Sequence, residues 1–307
     1  MTIGPPSRAY DISLHDRPFA PDSADQGWCF GLPRGLEEGQ WPLDPVFGYP
    51  LQHGFTLRLP EDYRVHGPDL PWLSFFSTAM DHLENSDWSR FDPAIVADAN
   101  SSRPDDPAAQ PFWDAMQNRH PHLHYMTDIL DYYYAVVFST DAAISGPTTP
   151  PPDPIVTELN AHVPQPSWMT QGAFSAFVGT SPFAILGQTI HPRAGVDATC
   201  ALTWGPRRED PNAGLGPRDT YDDEPAETGY VQPYYFEGGE LTAEAYRQHD
   251  WAADHKPNHI GGTMRPVQGV PTMSPFYIGF EEYLGGYNFG TGNAQLDFKN
   301  MIFDWAQ

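Results

Sequence analysis

Three histidines at alternate positions, in the run His120-Pro-His122-Leu-His124, have the spacing of a metal site. On an extended backbone alternate side chains share a face. Three imidazoles would then project together as zinc or nickel ligands, with Asp128 or Asp131 to complete the shell. Such a centre would make the chain a metal-dependent enzyme. Against it, Arg119 and Pro121 suggest a loop, and three neighbours on one strand do not close a tetrahedron by themselves. The competing reading is a surface or internally satisfied histidine cluster, so no metal and no cofactor is assigned here.

Other chemistry fails on context. Asp210-Pro-Asn212-Ala-Gly214 opens like a calcium loop, but loop position twelve, which needs a bidentate glutamate, is Tyr221. A turn is the better reading. Gly285-Gly286-Tyr-Asn-Phe-Gly290-Thr-Gly292 is glycine-rich, yet Ala294–Phe298 after it alternates like a strand and not a helix N-terminus. It reads as a hairpin or bulged turn. Neither Ser175 nor Ser181 sits in a nucleophile-elbow motif. Cys29 and Cys200 both lie among apolar residues, where a thiol is buried and inert, and two distant cysteines do not form a disulfide framework. With no positioned nucleophile or phosphate loop, the expectation is a protein that is not an enzyme.

The elements that would carry these residues are short. Thirty-four prolines and 27 glycines leave little room for long helices. Phe55–Leu59, Leu73–Phe76, Tyr132–Phe138 and Ala184–Gln188 are apolar runs bounded by turn residues, which predicts strands. Tyr132–Phe138 is aromatic or β-branched apart from Ala135, as expected of a strand buried on both faces. Helices are predicted at Asp92–Ala97, Asp114–Arg119 and Thr242–Ala253, the last capped by Thr242. Loops are expected at Asn100–Pro111 and Gly205–Pro233. Gly146–Pro154 (GPTTPPPDP) is a semi-rigid connector. It divides the chain into halves at 1–145 and 155–307, either as two lobes or within one continuous domain. Hairpin-length spacing favours an α+β fold that is β-rich, mainly antiparallel, with a few short helices.

Charge sets the partners. Forty acids against 16 bases leave a formal charge of −24, with Lys256 and Lys299 the only lysines. Residues 1–150 hold 21 acids and 8 bases, and residues 151–307 hold 19 and 8, so the charge is spread over a folded surface and not gathered in a tail. Aromatics at 14% and hydrophobics at 40% supply the core that a disordered acidic chain lacks. Such a surface repels nucleic acid and anionic membrane and attracts basic proteins. The first ten residues lack a signal-peptide pattern, and no run approaches the ~20 apolar residues of a membrane span, so a cytoplasmic location is expected.

Two sets of landmarks carry a resemblance. The first is Gly31-Leu32-Pro33, Trp41-Pro42, Gly48-Tyr-Pro50-Leu51 and Leu70-Pro71-Trp72-Leu-Ser-Phe75-Phe76; the second is His259-Ile-Gly261-Gly262-Thr-Met-Arg-Pro266-Val-Gln268. In that order they resemble the YwqG-like bacterial family of unknown function. Thr263-Met264-Arg265 and Gln52-His53-Gly54 depart from its pattern. The resemblance implies an α+β fold rich in antiparallel strands and no established chemistry. By analogy it points to toxin–immunity neighbourhoods. Read from the residues alone, Trp41, Trp72, Trp168, Trp204 and Trp305 are core or rim-of-core positions.

Charge and missing chemistry together lead to a non-enzymatic acidic binding protein, an immunity protein that neutralises a cognate basic toxin such as a nuclease. A nuclease's phosphate groove is cationic, so an acidic surface steers toward it and competes with its substrate. The carboxylates expected to do so are Asp219, Asp222, Asp223, Glu224 and Glu227, with Asp105 and Asp106 in second place. The alternative is the metal-dependent enzyme built on His120, His122 and His124.

Overall fold

Phe75 and Phe76 are neighbours in sequence, point to opposite faces of one strand, and are both fully buried. That pair sets the layering of the fold, seen in a computed structural model that describes residues 4–21, 23–83, 90, 92–179, 181–218, 229–237 and 246–306. The strands are β1 (Tyr10–His15), β2 (Gly27–Phe30), β3 (Gln52–Arg58), β4 (Trp72–Ser77), β5 (Leu123–Thr127), β6 (Tyr133–Ser139), β7 (Phe183–Ile185), β8 (Gln188–Ile190), β9 (Thr199–Pro206), β10 (Tyr234–Phe236), β11 (Tyr246–Gln248), β12 (His259–Ile260), β13 (Tyr277–Glu281), β14 (Asn293–Asp297) and β15 (Ile302–Ala306). Short helices α1 (Met80–Leu83), α2 (Ala94–Ala97), α3 (Gln110–Ala115), α4 (Asp141–Ile144), α5 (Trp168–Gln171) and α6 (Ala173–Val178) join them.

Eleven strands form one sheet in the order β15-β14-β13-β12-β1-β9-β2-β3-β4-β6-β5, every pair antiparallel. The fold is therefore α+β with a dominant antiparallel sheet, as the hairpin spacing implied. Residues on both sides of the Gly146–Pro154 stretch build this one sheet, since β9 lies between β1 and β2.

The sheet curls until its two ends meet, with β15 beside β5. Inside the curl, Phe75 stacks on Phe55 at 5.4 Å and meets Phe280 edge-on at 5.3 Å and Tyr287 at 5.6 Å. Outside it, Phe76 packs edge-on against Trp41, which stacks on Trp168 of α5 at 5.9 Å. Two covered faces explain why β4 and β6 are nearly continuous apolar runs. A β-bulge between His53 and Phe55 makes room for Tyr287: a Cβ at Gly54 would sit 1.9 Å from its hydroxyl.

Closure rests on one carboxylate. Asp128, nearly buried in the β5–β6 turn, accepts from the Trp305 indole on β15 at 2.7 Å and from the Tyr134 hydroxyl on β6 at 2.9 Å through Oδ2. Its Oδ1 accepts from the amides of Leu130 at 2.9 Å and Tyr132 at 3.0 Å. Beneath it Phe303 of β15 lies 3.9 Å from the Tyr134 ring. A second buried network ties the start of the long loop after β9 to the sheet. Arg207 pairs with Asp11 and Asp210, both at 2.8 Å, and Asp210 also accepts from the amide and hydroxyl of Thr263.

Three expected elements differ. Ala184–Gln188, expected as one strand, is the β7–β8 hairpin, because Leu186 and Gly187 both adopt positive φ and turn the chain. The helix expected over Asp114–Arg119 begins earlier, at Gln110, and ends in a 3-10 turn at Met116–Asn118. Pro111 falls in its first turn, where a missing N–H costs nothing. For the helix expected at Thr242–Ala253, residues 242–245 lie outside the described residues. Its remainder is β11 and a 3-10 turn at Asp250–Ala252, because Tyr246–Gln248 pairs with β10.

Asp128→Ala strips the acceptor from four donors, of which the buried Tyr134 hydroxyl and the part-buried Trp305 indole lose most, at roughly 1–3 kcal/mol for each group left unsatisfied. It is expected to destabilise the protein by about 3 kcal/mol in urea unfolding. Trp305→Phe removes the donor but keeps ring packing on Phe289, and is expected to cost about 1 kcal/mol. Equal or reversed costs would remove the carboxylate from its closing role.

Candidate functional site

A sheet that closes only through side chains leaves edges. Among the described strands, neither β5 nor β15 has a hydrogen-bonded neighbour on its outer side. Along this seam runs a cleft of about 720 Å³. Its floor is Tyr125, Met126 and Tyr133 from β5 and β6 with Phe303 from β15, and α2 supplies one wall. Asp92 and Asp98, at the two ends of α2, line the cleft, and among the described residues no lysine or arginine does.

Local sequence places both carboxylates. Asp92 Oδ1 accepts from the Ala94 amide at 2.9 Å, and Asp98 Oδ1 accepts from the Asn100 amide at 2.8 Å. Asx contacts of this kind suit short polar side chains at turns. Asp131 enters at positive φ in the β5–β6 turn. Burial raises the Tyr133 phenol, and the charges of Asp131 and Asp92 raise it further, so both acids act on one ring in the cleft. Burial also lifts the Asp304 carboxyl on β15 above the ordinary aspartate range.

Apolar side chains sit among these acids. Ile129 is 84% exposed, Leu130 51% and Ile302 43%, large values for aliphatic residues at the two sides of a seam. Exposed aliphatics and carboxylates outside the described ion pairs therefore accompany two strand edges that lack a hydrogen-bonded outer neighbour. Of the described ion pairs, none involves Asp92, Asp98, Asp131 or Asp304.

Of the carboxylates expected from sequence, Asp105 and Asp106 fall within the described residues. Asp219, Asp222, Asp223, Glu224 and Glu227 lie outside the described residues. Asp105 and Asp106 are exposed just before α3, where Asp106 Oδ1 accepts from the Ala108 amide at 2.9 Å, and neither lines the cleft. The cleft acids were not singled out as a partner site. The signal for them was an apolar pair, Ile129-Leu130, enclosed by Asp128 and Asp131 in a turn.

The histidines do not converge. His120 and His122 rings are 5.8 Å apart, and the His122 amide donates to His120 Nδ1 at 3.2 Å. His124, on β5, instead lies 5.7 Å from His66. Among the described residues, no group of three or more His, Cys, Asp or Glu side chains is arranged to hold a metal. Asp210 forms the turn read from its sequence, accepting from the Asn212 amide at 2.9 Å. Ser175 donates to the Arg193 carbonyl at 3.2 Å, so its hydroxyl is engaged by backbone and not by a base.

One pairing was hidden by sequence distance. Cys29 and Cys200 are directly opposite on β2 and β9, both buried as free thiols. Burial pushes the Cys29 thiol up, while the hydrogen bond from Cys29 and the nearby Arg193 guanidinium, 3.8 Å from Sγ, hold Cys200 down.

Among the described residues no helix is long and apolar enough to cross a membrane. Comparison of the chain with protein-family models, curated proteins and solved structures gives no match.

The buried histidines give the fold a pH dependence. His53 bridges the carbonyls of Phe30 and Gly31 through Nδ1 and the Thr56 hydroxyl through Nε2, and burial lowers it to about 4. Burial likewise depresses His259. These rings stay neutral in the fold but protonate in the unfolded chain near pH 6.5, so the unfolded state gains protons as pH falls from 6.5 toward 4. His53 alone should remove roughly 3 kcal/mol of stability across that window. Asp44, Asp304 and Glu281, each raised by burial, offset part of this loss. Thermal unfolding between pH 7 and 5 is expected to show a falling Tm, with a shallower fall in His53→Gln. An unchanged slope would contradict the buried, neutral His53.

Proposed function

We propose that this chain is a non-enzymatic acidic binding protein that occludes a basic protein partner. The proposed role is that of a bacterial immunity protein neutralising a cognate toxin such as a nuclease. The observation that carries the reading is the seam: two unpaired strand edges flanking a cleft lined by Asp92, Asp98 and the exposed Ile302, with exposed Ile129 and Leu130 next to Asp131 in the β5–β6 turn.

Each part has a physical task. The chain's −24 charge accelerates encounter with a cationic surface and weakens with salt. Edge backbone then supplies hydrogen bonds to an extended segment, and the aliphatic residues exclude water at its centre. A nuclease whose cationic groove is covered in this way cannot receive its phosphate substrate. The YwqG-like landmarks, from Gly31-Leu32-Pro33 to the His259–Gln268 stretch, agree with this reading through analogy with toxin–immunity neighbourhoods.

The test is co-purification with the product of the neighbouring gene, followed by association kinetics at rising salt. A tight complex is expected, with an association rate that drops steeply between low and physiological salt. Asp92→Lys with Asp98→Lys should slow association about tenfold, and Ile302→Lys should speed dissociation by a similar factor. Parallel Asp222→Lys with Asp223→Lys reports on the second acidic surface. A complex indifferent to salt and to all of these changes would refute the electrostatic reading.

A further inference from the structure

A cavity of about 250 Å³ lies where β1, the β7–β8 hairpin and residues 253–258 meet, and it shares no lining residue with the seam cleft. Ile12, Leu14, Ile185 and Ile190 give it an apolar wall. At ~300 Å³ and above, cavities take drug-sized ligands, so this one suits something smaller.

Its polar groups are of two kinds. Lys256, one of only two lysines, reaches Ser13 Oγ at 2.6 Å with one of three ammonium hydrogens and keeps the others for a ligand. Tyr283 OH accepts from Asn258 Nδ2 at 2.9 Å, and Asn258 is oriented by accepting the Glu281 amide at 2.8 Å. The Tyr283 proton is therefore free to donate, and burial raises this phenol so that it keeps that proton. These are groups for a carboxylate.

The opposite kind comes from the neighbouring residues. Asp254 lines the cavity with no hydrogen bond or ion pair among the described residues. His255, 6% exposed, bonds the Glu209 carbonyl through Nε2 at 2.7 Å, while its buried Nδ1 has no partner. A carbonyl only accepts, so Nε2 carries the hydrogen. Burial lowers the ring into its neutral form, leaving Nδ1 as an acceptor. That nitrogen is closed off from the cavity, so Asp254 is the group in the wall that can meet a cation.

We propose that this cavity binds the zwitterion of a branched aliphatic α-amino acid. Its carboxylate meets Lys256 and Tyr283, its ammonium meets Asp254, and its side chain lies on the isoleucine and leucine wall. Charge supports a zwitterion over either half. A net anion is repelled by a −24 chain, and a net cation leaves Lys256 facing like charge. The inference goes beyond the partner-binding reading and does not depend on it.

Titration calorimetry of the full chain with leucine, isocaproate and isoamylamine separates the contributions. Leucine should bind saturably, and isocaproate (no amine) and isoamylamine (no carboxylate) each at least about tenfold more weakly, since each leaves one set of site groups unpaired. Lys256→Met and Tyr283→Phe should each weaken leucine about tenfold; the Tm of the ligand-free protein should be unchanged in Lys256→Met and lowered in Tyr283→Phe, which removes the acceptor of Asn258 Nδ2. Absence of saturable leucine binding by the unaltered chain would overturn the proposal. So would equal binding of either half-ligand, or full leucine affinity in both variants.

Discussion

An eleven-stranded antiparallel sheet has two edges, and this one brings them together without hydrogen-bonding them to each other. The constraint is met by side chains. Asp128 holds Trp305 and Tyr134 from either side of the seam, and Phe303 fills the space against Tyr134 beneath. A charged group that is nearly buried must have its oxygens satisfied, and four donors satisfy this one. The same solution leaves β5 and β15 with free outer backbone, the usual liability of sheet edges. Asp92, Asp98, Asp131 and Asp304 around the seam disfavour pairing of one copy with another through like charge.

The strands were legible where a physical signature was local. Tyr132–Phe138 is a continuous apolar run and Leu73–Phe76 is broken only by Ser74, because both faces of β6 and β4 are covered. Trp41 and Trp168, read as core residues, stack on each other behind Phe76. Boundaries were less legible. Leu186-Gly187 reverses the chain through two positive φ values, and a leucine in that conformation carries no mark in the sequence.

Long-range proximity was the larger gap. Nothing in a separation of more than 150 residues tells that Cys29 faces Cys200, or that Trp305 donates to Asp128. The histidine run was visible but its geometry was not. His124 joins β5 and lies beside His66, while His120 accepts from the His122 amide, and among the described residues no three such groups are arranged to hold a metal. The acidic character of the chain was legible at once, whereas the particular acids of the cleft needed the fold to gather α2, the β5–β6 turn and β15.

Amide hydrogen exchange along β5 and β15, in the free chain and with the neighbouring gene's product bound, tests the central claim most directly. In the free chain these strands should exchange faster than β3 and β4, which are paired on both sides, and slow by at least about tenfold in the complex. Protection of β5 and β15 equal to that of β3 and β4 in the free chain, or a complex that leaves their exchange unchanged, would contradict unpaired edges at the seam as the proposed docking surface.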